Sequence, residues 1–502
     1  MRMHHQHTAV AAMGRQVMVR LSAVRHAALA LAVAVALGAW MPAYAQGRQS
    51  TVEQLKAMVQ QQAAEISQLQ KRVTELESRA TPAHAAAAQP AASRSAIDRL
   101  QTDVTQLKAA QASQAGSSIR WKSNGIGFSS PDGRNTMNLT GRIQYDVSNT
   151  DGSNDDALNI HGTEVRRLRL GVDGTFDEWL GYRMQFDIAN NKVAVRYAYL
   201  NVATKVGGNE LAIFAGNKKN DRGLDGTTST NNLWFMEANT VSNAIIPAQG
   251  SYGLGLSTAL YGASHNWHAS LSVTDGTMSQ SSGQSGNPTY AVRAHWNPYL
   301  TKTAMVHLGA WGFHENFDRA NQQVFDSVNI ATHFAGVKVR GPQIPNADSS
   351  SGYGFEVAGF AGPVAVAGEY GRRIIQQRQG AGGSSTDYDA WSASLSWFLT
   401  GETTPYSSKT GVWGRPRIHS AVGDGGMGAF ELVARYDKLD LNNSLLFVGG
   451  TGHGATLGLN WYLNEHSRLM FDWIHWTTDN PTGSFTGRDS GNTVGARAQV
   501  TF

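Results

Sequence analysis

The chain has 502 residues, 41% of them hydrophobic, with 54 Gly, 13 Pro and no Cys. The missing cysteines exclude a disulfide framework, a thiolate zinc site and a cysteine nucleophile. The formal charge of +4 comes from Arg2, Arg15, Arg20 and Arg25, which leaves 38 basic against 38 acidic residues and no whole-chain case for binding nucleic acid.

Arg15, Arg20 and Arg25 precede the apolar run 27–40, which ends in Pro42, Ala43, Tyr44 and Ala45. A basic start, a short apolar run and an A-x-A site make residues 1–45 a secretory signal peptide, removed after Ala45. The run falls short of the ~20 apolar residues that a spanning helix needs. No later run is long enough either, which excludes a helical inner-membrane protein.

Residues 46–116 read as a coiled-coil segment with an Ala/Pro-rich linker. Val52, Leu55, Val59, Gln62, Ile66, Leu69, Val73 and Leu76 are spaced alternately by three and four, an a/d seam with one polar exception. Ile97, Leu100, Val104 and Leu107 repeat the spacing beyond the linker at 80–92. Such a seam needs a partner: a second copy, or the rest of this chain. Val and Ile at a with Leu at d favour two strands in a free parallel coil, so the helix does not specify a trimer.

Residues 117–136 form a lead-in, and from 137 to 502 the period changes to two. Met137, Leu139, Ile143, Tyr145 and Val147 alternate with Asn138, Thr140, Arg142, Gln144 and Asp146. Trp391, Ala393, Leu395 and Trp397 alternate with Ser392, Ser394 and Ser396. One face is apolar and the other polar, over segments long enough to cross a bilayer as tilted strands. Trp179, Tyr182, Tyr197, Tyr199, Trp296, Tyr299, Trp461 and Tyr462 sit near the segment ends, as in interfacial girdles. The fold class is therefore all-β: a sixteen-stranded antiparallel transmembrane β-barrel preceded by a periplasmic N-terminal coiled-coil helix.

The sixteen predicted strands are 137–147, 163–175, 180–190, 192–204, 209–216, 251–262, 264–274, 288–298, 302–314, 351–361, 363–376, 386–400, 427–440, 451–464, 466–478 and 490–502. Short and long connections alternate, with short turns expected in the periplasm and long loops outside. Two break the rule: Asn190 and Asn191 are short on the outside, and 401–426 is long on the inside.

Several segments together resemble the phosphate-selective porin O/P family of outer-membrane proteins: LTGRIQ at 139–144, VRRLRL at 165–170, GLDGTTS at 223–229, LTGE at 399–402, FELVARYD at 430–437, LGLNWY at 457–462 and the terminal Phe502. The resemblance covers nearly all of 120–502. It implies a homotrimer in the outer membrane of a Gram-negative bacterium, whose arginine-lined lumen leads phosphate or other small anions to a constriction formed by inward loops. Carried over, it implicates Arg142, Arg166, Arg167 and Arg293, with 217–250 as the inward loop. The chain departs from the family with Phe313 and His314, where a tyrosine–arginine pair is expected, and in lacking an acidic residue near Lys192 and Val193.

By alternation, Arg142, Arg183 and Arg497 face the lumen. Arg167 and Arg169 share one face of their strand, while Arg166 points with the leucines unless a bulge redirects it. Planar guanidinium groups suit phosphate because they bind two oxygens at once; Lys218, Lys219 and Arg222 open the inward loop as further attractors. The competing reading pairs these arginines with luminal acids such as Asp146, Asp173, Asp187 and Glu431. His265, His268, His295 and His307 lie on separate strands without metal-ligand spacing. Asp275, His268 and Ser272 form no convincing catalytic triad, no phosphate-binding glycine motif precedes a helix, and no cofactor is called for. The function read from the sequence is diffusion of small anions, phosphate or polyphosphate foremost; the alternative is a weakly selective general porin whose coil tethers it to the cell wall or a periplasmic partner.

Overall fold

The structure is a computed structural model and describes residues 118–122, 125–276, 278, 287–317, 322–442 and 446–502. The expected signal peptide and coiled coil lie outside the described residues. Sixteen antiparallel strands form one sheet: β1 (Thr136–Asp151), β2 (His161–Phe176), β3 (Leu180–Asp187), β4 (Ala194–Val206), β5 (Asn209–Lys219), β6 (Tyr252–Tyr261), β7 (Trp267–Asp275) and β8 (Pro288–Leu300), followed by the second eight. These are β9 (Ala304–Asn316), β10 (Ala347–Ala361), β11 (Val364–Gln377), β12 (Ser385–Phe398), β13 (Ala429–Asp440), β14 (Thr451–Tyr462), β15 (Ser467–Asn480) and β16 (Gly487–Thr501). Each pairs with its sequence neighbour, and β16 closes the ring on β1, with Asn492 opposite Asp151 and Thr501 opposite Arg142. Closure removes both sheet edges.

A lead-in hairpin, Ser118–Lys122 with Gly125–Ser129, joins the foot of β1 on the side that β16 leaves free. Phe502 bonds Gly141 through both backbone groups, at 2.6 and 3.1 Å. Its ring occupies the space of a side chain at 141, since a Cβ there would lie 2.1 Å from the ring. Only glycine lets the terminal aromatic lie against β1 in this way.

The pleat sorts side chains as the period of two requires. Ile143, Tyr145 and Val147 are exposed on the outside, while Gln144, Asp146 and Ser148 are buried inside. The expectation of a polar lumen fails, however, on β12, β13 and β15. Tyr388, Leu439, Ile474 and Trp476 are buried there with Val324, Val328, Val339 and Ile344. The latter come from the connection after β9, which folds as a hairpin, Val324–Asn329 with Lys338–Ile344. Packing that hairpin's apolar side chains requires an apolar wall facing them, so both faces of those strands are hydrophobic.

Two further connections fold inward. Residues 220–251 carry the short helices α1 (Leu224–Thr227) and α2 (Thr240–Ala244). Residues 399–428 carry the pair Tyr406–Ser407 and Val412–Trp413, so the long connection at the short-turn end is an inserted loop. Trp413 packs with Leu224, Trp234 and Phe235, its ring centroid 4.5 Å from that of Trp234. Part of the interior is thus filled with protein, and the polar space is displaced toward β1–β6.

Candidate functional site

Alternation along β1 and β3 turns Arg142 and Arg183 inward. On β2, strict alternation would put Arg166 among the outward leucines, but the register shifts there. Gln144 lies opposite Arg167 and Tyr145 opposite Val165, leaving Arg166 as the extra residue of a bulge. Its guanidinium turns inward and grips Glu237 at 2.8 and 2.9 Å. The same device recurs on β4, where Gln185 faces Tyr197 and Phe186 faces Val195. The extra residue, Arg196, reaches Asp187 at 3.3 Å. Of the aromatics expected in the interfacial girdle, Tyr197 and Tyr199 line the cavity described below and Tyr462 is buried, donating to Glu431 at 2.8 Å. With Tyr197 and Tyr199 inward, an unbroken period of two would send Arg196 to the lipid side, and sequence reasoning, blind to the bulge, missed it.

Barrel carboxylates hold the loop 220–251 in place by accepting from its backbone. Glu369 accepts from Leu224 and Asp225 at 3.0 and 2.9 Å, Asp472 from Met236 at 2.8 Å, and Asp437 from Thr240 at 3.1 Å. Buried N–H groups of an irregular segment need such acceptors. Glu237 ties the loop to β2 and β16, bound by Arg166, by Arg497 at 2.8 Å and by Arg167 at 3.5 Å. Burial alone would raise the Glu237 carboxyl, but the three guanidinium groups outweigh it and hold it well below the usual carboxylate range.

Between this loop and the β1–β6 wall lies a cavity of about 550 Å³. Its lining includes nine Lys or Arg side chains against three Asp or Glu. Eight of the nine are sequence-predicted: Arg142, Arg166, Arg167, Arg169, Arg183, Lys218, Lys219 and Arg222; Arg196 is the ninth. A second cavity of about 510 Å³ extends to Thr136, Asn138, Thr175 and Phe502 at the short-turn end. Arg142, Arg183, Gln185, Tyr199 and Ser229 line both cavities. The two cavities adjoin at these residues, which form the neck between them.

Ion pairing divides these cations into two groups. Arg166 and Arg167 share Glu237, Arg169 and Arg196 share Asp187, and Lys218 meets Asp221 at 3.4 Å. Among the described residues, Arg142, Arg183, Lys219 and Arg222 have no carboxylate within 4 Å. Arg142 instead donates to Thr230 and, at 3.3 Å, to Ser229. Arg183 lies 4.3 Å over the Tyr197 ring. Lys219 donates to the Thr228 carbonyl at 3.2 Å and Arg222 to that of Ser242 at 3.0 Å. The luminal-acid alternative therefore accounts for one group and not for the other.

Arg293 is not brought into this cavity. It is fully buried, grips Glu356 at 2.8 and 2.9 Å, and donates to the Thr410 and Gly411 carbonyls of the inserted loop 399–428. The histidines that look scattered in sequence are partly gathered. His268 stands opposite His295 in the register of β7 and β8, and the His295 and His307 rings stack at 5.3 Å. His295 also meets the Ser408 carbonyl at 2.8 Å. Only strand pairing makes these neighbours. Asp275 lies seven residues up β7 from His268, roughly 23 Å away at ~3.3 Å per residue, which removes the imagined triad.

Residues 137–502 match the family model of phosphate-selective porin O and P. An uncharacterised protein of Caulobacter vibrioides is 27% identical over 408 residues, covering 78% of this chain and 79% of its own. Porin O of Pseudomonas aeruginosa is 24% identical over 412 residues, covering 75% of this chain and 91% of its own. Among solved structures, the anion-selective porin of Comamonas acidovorans aligns with 73% of this chain and 100% of its own, at 11% identity and a TM-score of 0.45. OmpT of Vibrio cholerae aligns with 74% of this chain and 98% of its own, at 12% identity and a TM-score of 0.46.

Proposed function

This chain belongs to the phosphate-selective porin O and P family, and from that premise we propose that its passage conducts small anions, phosphate and polyphosphate foremost. Membership makes it a channel-forming β-barrel of the outer membrane of a Gram-negative bacterium. The finer reading rests on one observation: cations without carboxylate partners at the neck and on the inward loop. A paired arginine is largely neutralised at a distance, whereas Arg142 and Arg183 keep their charge available to a passing ion. Attraction at ~4 Å is worth ~1 kcal/mol in bulk water and ~4 kcal/mol at an effective dielectric of 20, so narrowing strengthens it.

Arg142 and Arg183 are the neck residues of this proposal. Lys219 and Arg222 draw anions toward the neck, Arg166, Arg167 and Arg169 add field through partly neutralised pairs, and Arg293 supports the inserted loop. An ion must also leave, so several spaced cations serve conduction better than one deep trap. The proposed assembly is a homotrimer with the N-terminal helices associating in the periplasm. Single-channel recording in planar bilayers tests the reading through the reversal potential in a salt gradient and phosphate block of chloride current. Anion selectivity with block is expected; cation selectivity refutes it and leaves a weakly selective general porin.

A further inference from the structure

The cavity of about 550 Å³, the upper of the two with the short-turn end below, is not lined by cations alone. Guanidinium groups dominate β1–β3, and on β4–β6 aromatic rings join Arg196, Lys218 and Lys219. Tyr197, Tyr199, Phe214, Tyr252 and Tyr261 all line the same space, and each is only half-buried. Four of the rings form a connected track: Tyr197 to Tyr199 at 6.0 Å, Tyr197 to Tyr252 at 5.4 Å, and Tyr199 to Phe214 at 5.4 Å, all edge to face. The two regions meet where Arg183 lies over Tyr197 at 4.3 Å and Arg196 over Tyr252 at 5.7 Å.

An inorganic anion can use the cations and accept from the tyrosine hydroxyls, but it gains nothing from the carbon rings themselves. Those half-buried rings offer a ring-bearing solute the edge or offset contacts that aromatic pairs favour at centroid distances of ~4.5–7 Å. Cationic and aromatic groups together match a solute with a charged end and a planar apolar end. A cavity of about 550 Å³ also falls in the ~300–1,000 Å³ range of small-organic-molecule sites. Building on the anion reading above, we propose that the upper cavity binds organic anions in which an aromatic ring carries a phosphate or carboxylate. The acid group lies toward Arg142 and Arg183, and the ring lies along Tyr197 and Tyr252.

The test compares block of single-channel chloride current by inorganic phosphate, n-butyl phosphate and phenyl phosphate. Phenyl phosphate is expected to block at about five-fold lower concentration than either of the others, the ratio that one aromatic contact supplies. The Tyr197→Leu/Tyr252→Leu channel should lose that ratio, and Tyr197→Phe/Tyr252→Phe should keep it. Using the ratio cancels any shift of Arg183 or Arg196 that alters all three blockers alike. Equal block by the three compounds, or an aryl preference that survives in the leucine channel, overturns this inference while leaving the anion reading standing. A cation-selective reversal potential overturns both.

Discussion

Replacing Glu237 by Gln separates the roles of charge and anchorage at the neck. The carboxylate is bound by Arg166 at 2.8 Å, Arg497 at 2.8 Å and Arg167 at 3.5 Å. Arg497 would keep Asp146 at 2.7 Å, but Arg166 and Arg167 would be left with no ion-pair partner. The number of unpaired cations around the cavity would rise from four to six. One added unit of positive charge ~4–8 Å from a passing ion is worth ~0.5–1 kcal/mol in a water-like medium, a two- to five-fold tightening of phosphate block. Anchorage moves the other way. Removing one partner of a buried pair costs ~3–5 kcal/mol, and the retained amide acceptor in a wet cavity reduces this to ~1–3 kcal/mol. The loop should therefore become noisier while anion preference rises, as read from open-channel noise, phosphate titration and reversal potential. Unchanged or weaker anion preference would refute the electrostatic account of the neck. The wild-type anchor should be insensitive to pH between about 8 and 5: with the folded carboxyl held low, its contribution is fully present above the ordinary value of 4.5 and is lost only as pH falls through the depressed one.

Arg142→Ala and Arg183→Ala should each weaken phosphate block by about five-fold, at ~1 kcal/mol per lost charge. Arg435→Ala should do less, because that group is already engaged by Asp437 at 2.6 Å and the Glu237 carbonyl at 2.9 Å; equal effects at all three sites would point to a diffuse luminal field. Trp413→Ala removes a buried ring against Trp234, a packing loss of ~3–5 kcal/mol, and should raise single-channel conductance by loosening both inserted loops; unchanged conductance would show that the contact does not set the bore. Charged residues at both Ile66 and Leu69 should uncouple the N-terminal helices, and absence of crosslinks between cysteines placed near residue 66 in the otherwise wild-type chain would refute their association. Intact mass of protein from outer membranes should show a start at Gln46; retention of residues 1–45 would refute cleavage after Ala45.

Alternation made the barrel legible. In β1, Gln144, Asp146 and Ser148 could be assigned inward and Ile143, Tyr145 and Val147 outward from the sequence alone, because a pleated strand between lipid and water imposes a period of two. The alternation of short and long connections located the strand ends for the same reason. Bulges escaped that logic. Arg196 was hidden because one extra residue reverses the face assignment, and the same event on β2 turned Arg166 from an awkward outward charge into the principal partner of Glu237.

The interior was less legible than the wall. Ile474 and Trp476 sit on a strand whose outer face also carries Phe471 and Trp473, and no local pattern says that a hairpin from 324–344 fills the space between them. The separation of Arg142 and Arg183 from the paired arginines is likewise invisible in sequence, since Glu237 reaches Arg166 and Arg497 across 71 and 260 residues. The sequence by itself determined the sixteen strands, the faces they present wherever no bulge interrupts the pleat, and the supply of cations to the lumen. Only the tertiary structure decided which cations remain unpaired and where the passage runs: pleat and period are local properties, whereas charge pairing and lumen filling depend on contacts between segments that meet only after the barrel has closed.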